Sequence, residues 1–189
     1  MNDSQTKKNK EKTITIRLKE VAKETDSITQ REEFIDIVDE IIDLWTENRK
    51  AGTTWTPGFQ GEVAELLKLT ENRASLYLYL AECEEYALKS ATSGFYASCS
   101  MLSKIHILTE EFIPLSEIVH PNDIETLEDI EETYLNYADD IPPIPHDKIP
   151  SWVPESHSWW RIPTRHDMSK EEIEERLYEI YPEDWDPNY

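Results

Sequence analysis

The sequence predicts a mostly α-helical fold with one small β-hairpin, C-terminal helices and an extended arm rich in Pro and Trp. Three observations predict this fold. Apolar residues recur at helical spacing over residues 28–50 and 60–85, and two short strand-like runs flank a turn at residues 92–94. Prolines recur between residues 141 and 165, where they exclude a helix or a central strand. At 189 residues, the chain is long enough to bury one good core.

The composition indicates a folded protein of a reducing compartment. Hydrophobic residues make up 38% of the chain and aromatic residues 10%, which argues against disorder throughout. No run approaches about 18 uncharged apolar residues, and no apolar run follows the Lys-rich start. We therefore expect neither a membrane span nor a signal peptide, and a cytoplasmic location. Cys83 and Cys99 do not form a CxxC motif, which fits that location.

The formal net charge of −21 is unevenly distributed along the chain. Residues 1–23 carry seven Lys or Arg and three Asp or Glu, a net +4, so the remaining residues carry −25. Residues 1–12 are expected to form a disordered basic tail, which either folds back on the acidic body or contacts phosphates. Adaptation to high salt would also explain the acidity, although Lys outnumbers Arg and Glu outnumbers Asp.

A helical domain is expected over residues 13–140, beginning with a strand. Residues 13–18 alternate, with Ile14, Ile16 and Leu18 on one side, which predicts a half-buried strand. This run also resembles the strand of ribbon-helix-helix repressors. The sequence leaves too few residues before Ser27 for the first helix of that family.

A strongly amphipathic helix follows. Ser27 and Gln30 form a potential capping box, the helix is expected to reach about Lys50, and Gly52 is expected to end it. The predicted apolar stripe, with its flanking residues, consists of Phe34, Val38, Ile41, Trp45, Ile35, Ile42, Ile37 and Leu44. This stripe is expected to enter the domain core or to form a homodimer seam through residues 28–50.

Residues 60–68 and 70–85 form two predicted helices that meet at Leu69, with Thr70 as the cap of the second. A helix-turn-helix requires apolar residues at inward positions where its helices cross. The expected inward residues are Val63, Ala64 and Leu67 from the first helix, and Ala74, Tyr77, Leu78 and Ala81 from the second. Two strand-like runs then follow at residues 86–91 and 95–101, joined by Thr92, Ser93 and Gly94 as a hairpin.

Residues 53–101, with the helix before them, resemble winged helix-turn-helix domains. Lys68 departs from that pattern, because many members of the family place Gly at the turn. The resemblance implies a DNA-binding transcriptional regulator. An alternative interpretation is one long buried helix over residues 61–90, followed by another helix from about Phe95.

The resemblance implies that outward residues of the second helix and nearby cations contact double-stranded DNA or another partner. These residues are Lys68, Asn72, Arg73, Ser75, Leu76, Tyr79 and Lys89. Few of them are basic, so a second function stays open: an acidic protein-protein interaction module, such as an inhibitor, an antitoxin- or immunity-like protein or a polyanion mimic, which would bind a basic protein.

We expect no enzyme activity, cofactor or metal site. Glu117 and His120 form a single ExxH pattern, whereas di-metal helical bundles use that pattern twice. No Gly-rich phosphate loop occurs, and the chain contains only four Gly residues.

The C-terminal part is expected to contain helices near residues 102–112 and 122–139, the second of them strongly acidic. An extended arm should follow at residues 141–168, anchored on the body by Trp152, Trp159 and Trp160 or held in a groove of a partner. Ser169 and Glu172 form a capping box for a last helix to about Ile180. Residues 169–189 thus comprise that helix and an acidic tail.

Overall fold

The computed structural model describes residues 3–91, 94–141 and 143–163, together with Ser169 and Glu172. Regular structure within these ranges is entirely helical. The α-helices are α1 (Asp3–Val21), α2 (Ser27–Ala51), α3 (Phe59–Leu67), α4 (Thr70–Leu88), α5 (Phe95–Glu111) and α6 (Pro121–Asn136). Short 3-10 helices occur at Leu115–Glu117, His146–Lys148 and Ser158–Arg161. No described residue lies in a strand, so the predicted fold class with its β-hairpin is wrong.

The chain divides into two compact units. Unit 1 consists of Met1–Tyr79 and Lys104–Ile124. Unit 2 consists of Leu80–Ser103 and Glu125–Tyr189.

The N-terminal segment of unit 1 is a helix, so the predicted disordered tail and the predicted strand over residues 13–18 are both wrong. Ile14, Leu18 and Val21 are buried and follow one another at intervals of four and three residues, which places them on one helical face. The alternation that indicated a strand does not match the burial. Thr15 is buried, whereas Ile16 is 42% exposed.

α2 supplies the largest apolar face of unit 1, as the sequence predicts. Asp26, rather than Ser27, caps the helix, because its carboxylate accepts a hydrogen bond from the backbone N–H of Thr29 at 2.8 Å. This hydrogen bond lowers the pKa of Asp26. Gly52, in the left-handed conformation at φ 64°, ends the helix as expected. The predicted stripe is buried, apart from the half-buried Ile35. In the range of the proposed homodimer seam, the exposed large apolar residue is Ile28.

An aromatic cluster lies next to this face in unit 1. One carboxylate, that of Glu111, accepts hydrogen bonds from the indole N–H of Trp45 at 2.9 Å and from that of Trp55 at 2.8 Å. The rings of Trp55, Phe59 and Phe112 contact one another with centroid distances of 5.2–5.9 Å. The carboxylate thus satisfies both indole donors at the edge of an apolar cluster.

The helix break in the predicted helix-turn-helix segment is confirmed. α3 ends at Leu67 and α4 begins at Thr70, so the alternative of one helix over residues 61–90 is wrong. That alternative did place the start of a further helix at about Phe95, where α5 begins. The wing is replaced by the end of α4, a short connection and α5.

A close helical corner occupies the place of the predicted hairpin. The backbone N–H of Gly94 donates to the carbonyl oxygen of Lys89 at 3.0 Å. A Cβ atom at position 94 would lie 1.9 Å from the carbonyl oxygen of Tyr86, so the corner accepts only glycine without moving. Phe95, Cys99 and Leu102 are buried at intervals of four and three residues, which is helical spacing.

The Pro- and Trp-rich arm packs within unit 2, and the predicted burial of its Trp anchors is confirmed. The side chains of Trp152, Trp159 and Trp160 are 8%, 5% and 0% exposed. The indole N–H of Trp160 donates to Ser103 Oγ at 2.9 Å, and its ring meets that of Tyr96 edge-on at 5.0 Å. The described part of the arm comprises residue 141 and residues 143–163.

The predicted capping box after the arm is confirmed. The backbone N–H of Ser169 donates to the Glu172 carboxylate at 2.8 Å, and the N–H of Glu172 donates to Ser169 Oγ at 3.2 Å. The rest of the expected last helix and the acidic tail lie outside the described residues.

Candidate functional site

α4, the expected reading helix, is rotated relative to the prediction. Asn72, Ser75, Leu76 and Tyr79 were expected to face outward, but each is at most 2% exposed. The expected inward residues Tyr77 and Leu78 are 50% and 41% exposed, and Ala74 is also exposed. The predicted orientation is therefore wrong. Val63 and Leu67 of α3 are buried as expected.

Asn72 explains this orientation. Its side-chain amide donates to the carbonyl oxygens of Leu66 at 2.9 Å and Leu18 at 3.2 Å. Both carbonyls lie in the last turns of α3 and α1, and each also accepts a backbone N–H, from Leu69 at 3.1 Å and from Ala22 at 3.3 Å, so Asn72 uses the second acceptor position of each oxygen. Asn72 therefore joins the ends of three helices, and with 0% exposure its side chain is not accessible to an external partner in this structure.

The expected cations are exposed, but the structure pairs each of them. Lys68 lies 3.0 Å from Glu65 and 3.4 Å from Glu117, and Lys89 lies 2.5 Å from Glu85. The pKa of Lys68 is raised, mainly by its hydrogen bond to Glu65. Arg73 Nε donates to the carbonyl oxygen of Ile118 at 2.6 Å. These contacts reduce the positive charge available to phosphates.

The basic N-terminal segment folds back on the acidic body. Lys10 pairs with Glu47 at 2.6 Å. Arg17 pairs with Glu33 at 2.7 Å and lies 3.8 Å from Asp36, and it also contacts Glu40. Two cations of α1 thus pair with four of the seven carboxylates of α2 and neutralise part of its acidic face inside unit 1.

The acidic face of α6 has a different environment. Its exposed carboxylates from residue 125 onward are Glu125, Glu128, Asp129, Glu131 and Glu132. None of the five forms an ion pair with another described residue. Leu135 is 64% exposed and follows Glu131 and Glu132 by four and three residues, so it lies beside them on the helix.

The opposite side of α6 fixes the helix in unit 2. Ile130 and Tyr134 are fully buried, and the Tyr134 ring meets Phe95 edge-on at 5.1 Å. The sequence predicts this one-sided acidic helix, with bounds of 122–139 rather than Pro121–Asn136. Sequence spacing could not show that these five carboxylates lack cation partners among the described residues, because such partners would come from distant segments.

Groups suited to metal or thiol chemistry are not assembled in the described part of the chain. No three or more His, Cys, Asp or Glu residues there are arranged to hold a metal ion. Glu117 of the ExxH pattern contacts Lys68 instead. Cys83 and Cys99 are buried free thiols, and burial raises the pKa of both, which keeps them protonated and unreactive. Among the described helices, none has the length and apolarity needed to cross a membrane.

Comparison of the chain with models of protein families, with curated proteins and with solved structures found no match. No relative therefore supports the resemblance to winged helix-turn-helix domains, and the functional argument depends on the side chains themselves.

Proposed function

We propose that this protein is a non-enzymatic protein-interaction module, in which the exposed side of α6 binds a basic protein partner. The contrast between two acidic helices carries the proposal. Glu33, Asp36, Glu40 and Glu47 of α2 pair with Lys10 or Arg17 of α1, whereas five carboxylates of α6 are exposed without ion pairs among the described residues: Glu125, Glu128, Asp129, Glu131 and Glu132.

The physical argument concerns both charge and apolar area. Like charges three and four residues apart on a helix repel one another, and a basic partner would relieve that repulsion on binding. A strongly acidic surface also accelerates the association of basic partners. Exposed Leu135 beside Glu131 and Glu132 offers an apolar contact within a polar rim, the usual composition of a protein interface.

DNA binding was the first hypothesis from the sequence, and it stays a prediction. Asn72 and Ser75, two of its expected contact residues, are buried, and Arg73, Lys68 and Lys89 contact other groups of the chain. The net charge of −21 opposes non-specific attraction to a polyanion. These observations favour the basic protein partner.

The test compares two triple variants with the same change of charge. One variant carries Glu128→Gln, Glu131→Gln and Glu132→Gln on α6. The control carries Glu20→Gln, Glu32→Gln and Glu71→Gln, which replace exposed carboxylates of unit 1 that have no ion pair with a described residue. The probe is a synthetic peptide rich in Lys and Arg with interspersed Leu, and its affinity is measured by fluorescence anisotropy.

We expect the α6 variant to bind the peptide at least about tenfold more weakly, since three lost charge contacts of about 0.5–1 kcal/mol each are involved. The control variant should stay within about threefold of the wild type. An equal loss in both variants would show that only net charge attracts the peptide. Steeply salt-dependent binding of mixed duplex DNA, unchanged in the α6 variant, would instead support the DNA hypothesis.

A further inference from the structure

A cavity of about 590 Å³ lies in unit 1 between α1, residues 56–58 and the start of α3. Lys8, Lys12 and Lys19 of α1 line it at intervals of four and seven residues, so they follow one side of the helix. Ile16 and Phe59 add apolar wall. The volume falls within the range of about 300–1,000 Å³ that is typical of small-molecule sites.

The two carboxylates that line this cavity are already engaged. Glu11 is 2% exposed, and its carboxylate accepts hydrogen bonds from the backbone N–H of Thr56 at 3.0 Å and from the Thr56 hydroxyl. Glu62 pairs with Lys19 at 2.6 Å. Neither carboxylate pairs with Lys8 or Lys12. The partners of Glu11 are uncharged groups, so the lining carries three lysines against two carboxylates, a formal excess of one positive charge.

The other cations of α1 have partners in unit 1. Lys7 donates to the carbonyl oxygen of Thr54, Lys10 pairs with Glu47, and Arg17 pairs with Glu33. Within the described residues, the ammonium groups of Lys8 and Lys12 form neither an ion pair nor a hydrogen bond. Lys8 and Lys12 are therefore the cations of α1 without a partner among the described residues. They lie one helical turn apart on the cavity wall, where their charges repel each other.

We propose that this cavity binds a small organic anion with two or more adjacent phosphate or carboxylate charges, held by Lys8 and Lys12. Lysine ammonium groups bind phosphate and carboxylate as point charges without demanding one geometry. The N-terminus of α3 adds partial positive charge, since Gly58 caps this helix without a side chain. Ile16 and Phe59 would contact the apolar part of the ligand.

The charge distribution favours a small anion over a polymer. With a net charge of −21, the protein repels an extended polyanion along its whole surface. A small ligand inside the cavity interacts mainly with the lysines next to it, because charges beyond about 8 Å are largely screened at physiological ionic strength. This inference concerns unit 1 and does not depend on the proposed partner surface of α6.

The experiment is isothermal titration calorimetry of the full chain with pyrophosphate and, separately, with citrate. These two probes distinguish phosphate from carboxylate ligands. The variant Lys8→Gln with Lys12→Gln removes both free cations. The control, Lys23→Gln with Lys50→Gln, makes the same change of charge at exposed lysines that do not line the cavity. Circular dichroism melting verifies that each variant is folded.

We expect at least one probe to bind the wild type, the cavity variant to bind it at least about tenfold more weakly, and the control to stay within about threefold. The bound anion should also protect Lys8 and Lys12, but not Lys23, from acetylation, as measured by mass spectrometry. Absence of binding by both probes, or equal losses in the two variants, would overturn the proposal. A different result would also overturn the proposal. If mixed duplex DNA displaced the bound probe, and the cavity variant no longer bound that DNA, the lysines would form a nucleic-acid surface.

Discussion

At the scale of single residues, a buried amide determines which side of α4 faces the core. Apolar side chains lie on both sides of this helix, since Leu76 is buried and Leu78 is 41% exposed. Hydrophobic periodicity therefore could not choose between the two orientations. Asn72 distinguishes the two orientations, because its buried side-chain N–H groups need acceptors. The carbonyl oxygens of Leu18 and Leu66 provide these acceptors on one side of α4.

Replacement of Asn72 by Ala should destabilise the protein by about 1–3 kcal/mol, because it removes two buried hydrogen bonds, although both carbonyl oxygens keep a backbone donor. Urea unfolding of the variant and the wild type measures this difference. The control is Asn136→Ala at an exposed position of α6, where we expect a change within about 0.5 kcal/mol. Equal effects of the two substitutions would show that the hydrogen bonds of Asn72 contribute nothing measurable.

The buried thiols predict a loss of stability at alkaline pH. Burial raises the pKa of Cys83 and Cys99 above the ordinary thiol value of about 8.5. Above that pH the unfolded chain releases these protons while the folded chain retains them, so the free energy of unfolding falls as the pH rises. The slope can reach about 1.4 kcal/mol per pH unit for each thiol.

Denaturant unfolding at about pH 7, 9 and 10 measures this slope. The variant Cys83→Ala with Cys99→Ala should show a smaller loss of stability between pH 9 and 10 than the wild type, whatever its stability at pH 7. The thiol explanation fails if both proteins lose stability at the same rate.

At the scale of helices, the sequence predicts an element well where its polar and apolar faces are separate. α2 has carboxylates on one side and Phe34, Val38 and Ile41 on the other, so its existence and buried face were predicted correctly. Residues 86–101 lack such a separation, and their short apolar runs fit a strand or a helix equally well. The structure has helices there, and Gly94 permits their close corner, which depends on backbone geometry that spacing does not encode.

Truncation of the chain after Asp140 should lower the melting temperature and expose apolar surface. The removed segment includes Trp152, Trp159 and Trp160, each of which is at least nine-tenths buried. A segment whose described regular elements are two short 3-10 helices cannot form a core of its own. Differential scanning fluorimetry and binding of a hydrophobic dye measure the two effects. The single variant Trp160→Ala should cost about 3–5 kcal/mol by itself.

The opposite result would change the role of the arm. If the truncated protein kept its melting temperature and lost only peptide binding, residues 141–163 would be a recognition element instead of a part of the core of unit 2.

At the scale of the whole molecule, the sequence gives the distribution of charge along the chain but not which charged groups pair with one another. The sequence shows a basic start and an acidic remainder, and from this it predicts attraction between them. It does not show that Arg17 reaches Glu33 while Lys8 and Lys12 reach no carboxylate, because each pairing depends on how the helices pack. For the same reason, the candidate sites on α1 and α6 became visible only with the structure.

The placement of the tryptophans gives each unit its own optical reporter. Trp45 and Trp55 belong to unit 1, and Trp152, Trp159 and Trp160 belong to unit 2. In one variant the tryptophans of unit 1 are replaced by Phe, and in the other those of unit 2. The fluorescence of each variant then comes mainly from the remaining set, and Trp185 contributes the same background to both. Stopped-flow fluorescence of the two variants would therefore show whether the units lose their structure in one kinetic phase or in two.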